Sequence, residues 1–207
     1  YNINLNNSII LDIGTNVGLY SLWLNNKFKN LNVHCFEPIP DLFKCASYNI
    51  NKLKKNNNKF YLNNIGLSNK KEKIKINYFL NAGGLSTTCG DINEKKNKLG
   101  SIFKKVIFNI VTKKTEKVNI NVNTIKNYII EKKINNITLC KIDVECSELF
   151  IIEGFGEYIN IVKYYIIEIE NYRKDYLNKI KKILSNYNIK IENPNKNWCI
   201  LFASRRY

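Results

Sequence analysis

Residues 11–22 read LDIGTNVGLYSL, and this stretch decides the fold class. The apolar run Ser8–Ile13 ends at a glycine, as a buried parallel strand does. Gly14–Gly18 forms a turn, and from Leu19 to about Phe28 apolar residues recur at helical spacing. A strand, a glycine turn and a helix in direct succession are typical of one unit of an α/β sheet.

The same alternation of strand and helix continues along most of the chain. We predict strands at Asn32–Phe36, Phe60–Ile65, Ile137–Ile142 and Val162–Ile169, helices at Asp41–Ile50, Thr124–Lys132, Glu148–Tyr158 and Tyr172–Tyr187, and a closing hairpin of Ile189–Ile191 with Trp198–Ala203. Such an alternation predicts an α/β fold with a mainly parallel sheet and helices on both faces. Nothing suggests a domain boundary, so we expect residues 1–207 to form a single domain.

A different pattern occupies the middle of the chain. Lys73–Phe79 and Val118–Val122 alternate polar and apolar residues with period two, as exposed antiparallel strands do. Residues 81–117 are rich in Gly, Ser, Thr and Lys. We predict that they form a variable loop or lid insertion.

The composition excludes several classes of protein. Hydrophobic residues make up 44% of the 207 residues, which is enough for a packed core and excludes a disordered chain. No apolar run approaches the roughly 20 residues that a membrane span needs, so we expect no membrane span. The net charge is +16, but only three of the 33 basic residues are Arg, the side chain favoured for phosphate and guanine recognition. Nucleic acid therefore stays an alternative partner that the composition does not favour.

The cysteines and the single histidine give little support for a metal site. None of the six cysteines forms a CxxC pair, and His34 alternates with apolar neighbours as a structural histidine does. Asp143, Glu168 and Glu170 with Asn171 could together hold a divalent metal. Carboxylates at adjacent strand ends also occur without metal, so we expect none. Buried thiols in a reducing compartment are the interpretation we favour, and we expect an intracellular, cytoplasmic protein. The chain begins at Tyr1 and contains no Met, so we expect the native start, and any targeting segment with it, to be missing.

Two polar features follow the first two predicted strands, where open α/β sheets bind their ligands. The turn Gly14–Gly18 lets the backbone approach a ligand, although a tight strand-to-helix turn alone would also explain it. Glu37 can accept hydrogen bonds from both hydroxyls of a ribose. A lone surface Glu is the alternative, which Pro38 disfavours because it stops the strand and holds the carboxylate at the sheet edge. The turn lacks the GxGxxG pattern of pyrophosphate binding, so with acidic Asp12 it suits S-adenosylmethionine, which has no phosphate.

Three motifs stand in a fixed order along the chain. They are DIGTNVGLYSL at 12–22, FEPIP at 36–40 and KIDVE at 141–145. In this order and spacing they resemble the FkbM-type family of S-adenosylmethionine-dependent methyltransferases, and the resemblance covers nearly the whole chain. The combination is far more specific than any one motif. It implies the Rossmann-like class I methyltransferase fold, with a seven-stranded, mainly parallel sheet whose last strand is antiparallel.

The resemblance also implies which residues bind the cofactor, S-adenosylmethionine. They are Asp12, Gly14, Asn16 and Gly18 along its methionine part, Glu37 with Pro38 at its ribose, Asn64, Gly66 and Leu67 near its adenine, and Asp143 facing its methyl group and the acceptor. Family members mostly methylate oxygen, so the implied reaction is O-methylation of a hydroxyl-bearing acceptor. A hydroxyl must lose its proton, which gives Asp143, with Glu145 or Glu168, a general-base role.

Cys146 departs from the family pattern, which has glycine after the DVE motif. If that glycine relieves crowding near the ligands, a cysteine would intrude; if it only opens the next helix, a cysteine is harmless. We favour the harmless case, because the first turn of a helix tolerates Cys with little strain. The departure and the +16 charge keep one alternative open: a catalytically silent methyltransferase fold that serves as a basic, RNA-contacting structural subunit of a larger assembly. The intact cofactor-side residues argue against that alternative.

Overall fold

The computed structural model describes residues 3–79, 115–170, 174–193 and 198–206. The strands are β1 (Ile9–Ile13), β2 (Asn32–Phe36), β3 (Lys59–Asn63), β4 (Gly66–Leu67), β5 (Glu72–Phe79), β6 (Thr115–Asn123), β7 (Ile137–Ile142), β8 (Val162–Glu170), β9 (Tyr187–Glu192) and β10 (Trp198–Arg205). The helices are α1 (Leu19–Lys27), α2 (Pro40–Leu53), α3 (Ile125–Lys132), α4 (Glu148–Glu153) and α5 (Lys174–Ile183), with a 3₁₀ helix at Gly156–Ile161. The predicted loop or lid at 81–117 lies outside the described residues, apart from its last three, which begin β6.

Seven strands form one sheet in the order β3-β2-β1-β7-β8-β10-β9. β10 runs antiparallel to β8 and to β9, whereas the neighbouring pairs from β3 to β8 are parallel. The predicted seven-stranded sheet, its antiparallel last strand and the closing hairpin are therefore confirmed. The chain runs outward from β1 to β3 and then returns to the other side of β1. Ligand sites of open α/β sheets form where the strand order reverses in this way, here between β1 and β7.

Alternation along β1 divides the apolar core between the two faces of the sheet. Leu11 and Ile13 pack with buried side chains of α3, α4 and α5. Ile10 faces the other way and packs with Leu24 of α1 and Ile50 of α2. Successive side chains of a strand point to opposite faces, so a continuous apolar strand needs helices on both sides. The prediction of helices on both faces is confirmed.

β4, β5 and β6 leave the main sheet and form a second sheet of their own, in the order β4-β6-β5. β5 and β6 pair antiparallel, with Ile76 opposite Val118, as the period-two pattern predicts. The separation into a second sheet was not predicted. Its inner face packs Ile76, Ile120 and Val122 against Ile39, which follows β2, so the second sheet lies over the ends of the main strands.

Two helices differ from their predictions. The helix predicted at Glu148–Tyr158 stops at Glu153 and is followed by the 3₁₀ helix Gly156–Ile161, whose first residue, Gly156, has a left-handed φ of +54°. The helix predicted at Tyr172–Tyr187 ends at Ile183, and Tyr187 begins β9 instead. The Thr124 cap of α3 is confirmed, since its hydroxyl accepts a hydrogen bond from the Asn127 N–H at 3.1 Å. Within the described ranges, no helix has the length and apolar character that crossing a membrane requires.

Candidate functional site

The ends of β1, β2 and β7 meet at a cavity of about 170 Å³. Backbone hydrogen bonds hold these ends together: the N–H groups of Gly14 and Thr15 donate to the Phe36 carbonyl, both at 3.0 Å. The Asp143 N–H donates to the Ile13 carbonyl at 3.1 Å. The residues that line the cavity include eight of the predicted site residues: Gly14, Asn16, Glu37, Pro38, Gly66, Leu67, Asp143 and Glu145.

The turn after β1 is shaped by two residues with positive φ. Gly14 has φ +77°, and a Cβ on it would fall on the carbonyl oxygen of Asp143. Asn16 has φ +52°, a conformation that Asn adopts more readily than most residues. Gly14 thus leaves room for the end of β7, and the turn directs the Asn16 N–H at Glu37.

The Glu37 carboxylate is held at the end of β2 by two backbone donors. Oε2 accepts a hydrogen bond from the Asn16 N–H and Oε1 accepts one from the Ile39 N–H, each at 2.9 Å. Glu37 is only 5% exposed. Burial raises the pKa of Glu37, and the two backbone hydrogen bonds and the charge of Lys141 offset part of that rise. Since a carboxylate has about four acceptor positions, Glu37 can still accept hydrogen bonds from a ligand.

The turn after β3 contributes in two ways. Gly66 and Leu67 line the cavity, and a Cβ on Gly66 would stand 2.9 Å from Val122 Cγ1 and 3.5 Å from Pro38 Cβ. Asn64 is exposed and is not among the lining residues. Its Nδ2 instead donates to the Glu37 carbonyl at 2.8 Å and to the Pro38 carbonyl at 3.1 Å. Asn64 therefore shapes the chain around Glu37.

Asp12 and Gly18 are not among the residues that line the cavity. Asp12 is 0% exposed, and its Oδ2 accepts a hydrogen bond from the Ser21 hydroxyl at 2.6 Å. Gly18 is the N-cap of α1 with φ +91°, and a Cβ on it would stand 3.3 Å from the Ile50 side chain. Both residues have structural roles, because their side-chain positions face the protein interior, and their implied contacts with the methionine part stay a prediction.

Of the three candidate bases, two line the cavity and one does not. Asp143 lines the cavity with a side chain that is 47% exposed, and Glu145 lines it as well. Glu168 is exposed and does not line it, because β8 continues to Glu170 and residue 168 is not at the strand end. Among the described residues, no three His, Cys, Asp or Glu side chains are grouped as a metal site requires.

Lys141 does not line the cavity, but it contacts two residues that do, Gly14 and Asp143, and no role was predicted for it. Its ammonium donates to the Gly14 carbonyl at 2.8 Å. The same Nζ lies 3.4 Å from Asp12 Oδ1 and 3.4 Å from Asp143 Oδ2, and the side chain is 12% exposed. Lys141 is the first residue of the KIDVE motif, so the sequence did contain a sign that it matters. Its proximity to Asp12 follows only from the pairing of β1 with β7.

The second sheet supplies an apolar wall to the cavity that the sequence did not predict. This wall consists of Ile74, Ile76, Ile120 and Val122, with Ile39 and Leu42 beside it. The carboxylates Glu37 and Asp143 line the same cavity, at the ends of the main strands. The cavity therefore combines anionic groups with apolar ones, an arrangement common in ligand sites.

Cys146 is buried and does not line the cavity. Its φ is +78°, a backbone conformation that favours glycine, and its N–H donates to Glu148 Oε1 at 3.0 Å. Cys146 therefore precedes α4 in a strained conformation, and the predicted reason for its harmlessness, a place in the first turn of a helix with little strain, is wrong. The glycine of the family pattern corresponds to this backbone requirement. Cys146 is disulfide-bonded, so the prediction of a buried thiol is wrong for this residue. Cys35, Cys140 and Cys199 are free and buried, as predicted, whereas Cys45 is free and exposed.

Comparisons with known proteins agree with this geometry. The family model described as "Methyltransferase FkbM domain" matches residues 12–191. The chain is 22% identical over 171 residues to Methyltransferase 1 of Beauveria bassiana, covering 82% of this chain and 67% of that protein. It is 28% identical over 163 residues to Methyltransferase sdnD of Sordaria araneosa, covering 73% of this chain and 61% of that protein.

The fold also matches a solved structure. The crystal structure of Methyltransferase FkbM from Methylobacillus flagellatus superimposes with a TM-score of 0.56 and 15% sequence identity. The match covers 97% of this chain but 45% of that one. The chain therefore shares the fold over nearly its whole length, while it spans less than half of that protein and about two thirds of the curated relatives.

Proposed function

Since the chain belongs to the FkbM methyltransferase family, whose model matches residues 12–191, we propose that it transfers a methyl group from S-adenosylmethionine to a hydroxyl oxygen of an acceptor. One observation carries the proposal: the Glu37 and Asp143 carboxylates, from the ends of two different strands, line one cavity. Glu37 stands on the cofactor side and Asp143 on the acceptor side.

The residues around Glu37 fit an adenosine moiety. The carboxylate can accept hydrogen bonds from the two ribose hydroxyls while Asn16 and Ile39 hold it in place. Pro38, Gly66 and the apolar wall of the second sheet offer the surface that a purine needs. The methionine part would then extend past Gly14 and Asn16 toward Asp143.

The reaction requires alignment and one proton transfer. S-adenosylmethionine would supply a methyl group bonded to a positively charged sulfur. The acceptor oxygen attacks the methyl carbon in line with the C–S bond, and the sulfur leaves. The C–S bond breaks as the O–C bond forms, and the hydroxyl proton passes to a carboxylate. Asp143 is the base we propose, with Glu145 as the second candidate, because both line the cavity.

The test combines cofactor binding with methyl transfer. Calorimetry should show binding of S-adenosylhomocysteine, and methyl-labelled S-adenosylmethionine should transfer its label to oxygen in a panel of hydroxyl acceptors. Asp143→Ala should abolish transfer while the melting temperature stays near that of the wild type, since its side chain is half exposed.

Asp175→Ala is the matched control, because Asp175 is an exposed carboxylate in the first turn of α5. Transfer should be unaffected in that variant. Absence of S-adenosylhomocysteine binding would overturn the proposal as a whole. Label found on nitrogen or carbon would overturn its O-methylation part, and binding without any transfer would favour the silent-fold alternative.

A further inference from the structure

We propose that Lys141 is a positioning residue, which ties the cofactor-side turn after β1 to Asp143 and fixes the Asp143 carboxylate at the cavity. This inference rests on the proposed function and deepens it, because it explains how the acceptor-side carboxylate is oriented. Neither the family match nor the motifs assign a role to this lysine.

The geometry places one ammonium between three oxygens from two strand ends. Lys141 Nζ donates to the Gly14 carbonyl at 2.8 Å and lies 3.4 Å from Asp12 Oδ1 and from Asp143 Oδ2. In the parallel register, Lys141 stands beside Asp12. The ammonium thus joins β1, its turn and the end of β7 through a single side chain.

Charge explains why a lysine is held in so buried a place. Burial alone would lower the pKa of Lys141, but attraction to Asp12 and Asp143 outweighs it and leaves the pKa raised. The ammonium therefore stays protonated, and it cannot serve as the base. The other titratable groups that interact with it are Tyr20, whose ring centroid is 5.8 Å from Nζ, Glu37, Cys35 and Cys140.

Lys141 also stabilises the fold by compensating the buried charge of Asp12. Asp12 is 0% exposed, and its Oδ1 accepts no hydrogen bond from the described residues, so the ammonium 3.4 Å away is its charge partner. Removing Lys141 alone would leave a buried carboxylate uncompensated, which is strongly destabilising. A test must therefore separate this stabilising effect from the proposed action on Asp143.

The design compares Asp12→Asn with Asp12→Asn/Lys141→Met, which share the same change at Asp12. Lys141→Met alone should lower the melting temperature, and the double variant should regain most of it because both buried charges are gone. The kcat of the double variant should nevertheless be about tenfold to a hundredfold below that of Asp12→Asn, because a misplaced catalytic group costs about that much in rate. Lys141→Arg in the wild-type background should restore part of the kcat lost in Lys141→Met.

Crystal structures of the two variants give a readout that does not depend on turnover. The Asp143 carboxylate should keep its ion-pair position in Asp12→Asn and leave it in the double variant. An unmoved Asp143, or equal kcat in the two variants, would overturn the proposal and reduce Lys141 to the charge partner of Asp12. If the wild type transfers no methyl group, the proposed function fails, and the two crystal structures still decide the role of Lys141.

Discussion

The Glu37 carboxylate can bind the protein backbone and a ligand at the same time. Its two oxygens accept hydrogen bonds from the Asn16 and Ile39 N–H groups and still have free acceptor positions. Glu37→Ala should weaken binding of S-adenosylhomocysteine by about tenfold or more, the scale of one charge-assisted hydrogen-bond pair. The N–H groups of Asn16 and Ile39 would also lose their acceptor. Glu37→Gln, which keeps one acceptor oxygen, should bind with intermediate affinity. Calorimetry measures both, and unchanged affinity in Glu37→Ala would remove the ribose assignment.

The raised pKa of Glu37 has a consequence for binding. Burial raises this pKa above the ordinary 4.5, and in the proposed complex the ionised form is the one that would accept hydrogen bonds from both ribose hydroxyls. Affinity for S-adenosylhomocysteine should therefore be full above the raised pKa and fall as the pH decreases through it. Calorimetric titrations at a series of pH values would show the fall, and Glu37→Gln is the control that should lack it. A fall of equal size in Glu37→Gln would assign the pH dependence to another group.

Cys146 offers a test of backbone strain. Its φ of +78° costs an L-residue other than glycine about 1–2 kcal/mol. Cys146→Gly should therefore be more stable than Cys146→Ala by about 1 kcal/mol. Both variants lose the disulfide bond, so the difference isolates the backbone. Denaturant unfolding measures it, and equal stabilities would contradict the φ argument.

The comparison of Cys146→Gly with the wild type also decides whether Cys146 disturbs the site. Because Cys146 does not line the cavity, affinity for S-adenosylhomocysteine and methyl transfer should be nearly the same in Cys146→Gly and in the wild type. A gain of binding on introducing glycine would mean that the cysteine obstructs the ligands.

At the level of elements, the close packing of β4 on β6 sets the width of the cavity. Gly66 pairs with Val122, and a Cβ on Gly66 would approach Val122 Cγ1 to 2.9 Å. Gly66→Ala should cost about 1–3 kcal/mol through overpacking and weaken S-adenosylhomocysteine binding. Gly66→Ala/Val122→Ala should recover stability, because the clashing methyl group is removed. A double-mutant cycle by thermal unfolding, with Val122→Ala as its other single variant, checks this coupling, and strict additivity would contradict it.

For the whole molecule, the net charge of +16 bears on the RNA-contacting alternative. A lysine excess gives non-specific polyanion binding, with a Kd of about 10⁻⁴ to 10⁻⁶ M at physiological salt. RNA affinity should therefore fall steeply between about 50 and 200 mM salt and be the same for unrelated sequences. S-adenosylhomocysteine affinity, for which we propose a dependence on buried Glu37, should change little over that range. Sequence-selective RNA binding that persists at high salt would favour this alternative, in which the fold is catalytically silent and serves as an RNA-contacting subunit.

The sequence by itself determined the elements and their succession. The apolar run to Ile13, the glycine turn and the alternation of strand and helix predict the sheet, because these signals are local in the chain. The same signals placed Glu37 and Asp143 at strand ends, where parallel topology brings them together. His34 was predicted as structural, and the structure buries it between Tyr61 and Tyr128.

Only the tertiary structure decided which of these residues line the cavity. Asp12 belongs to the motif yet is buried against Ser21 and Lys141, because strand register sets the face and the neighbour of each residue. The apolar wall came from β5 and β6, whose alternation predicts strands but not the sheet they join. Lys141 lies 129 positions after Asp12 in the sequence. Their ion pair exists only because β7 pairs with β1, and a long-range strand pairing of this kind leaves no signal in the local sequence pattern.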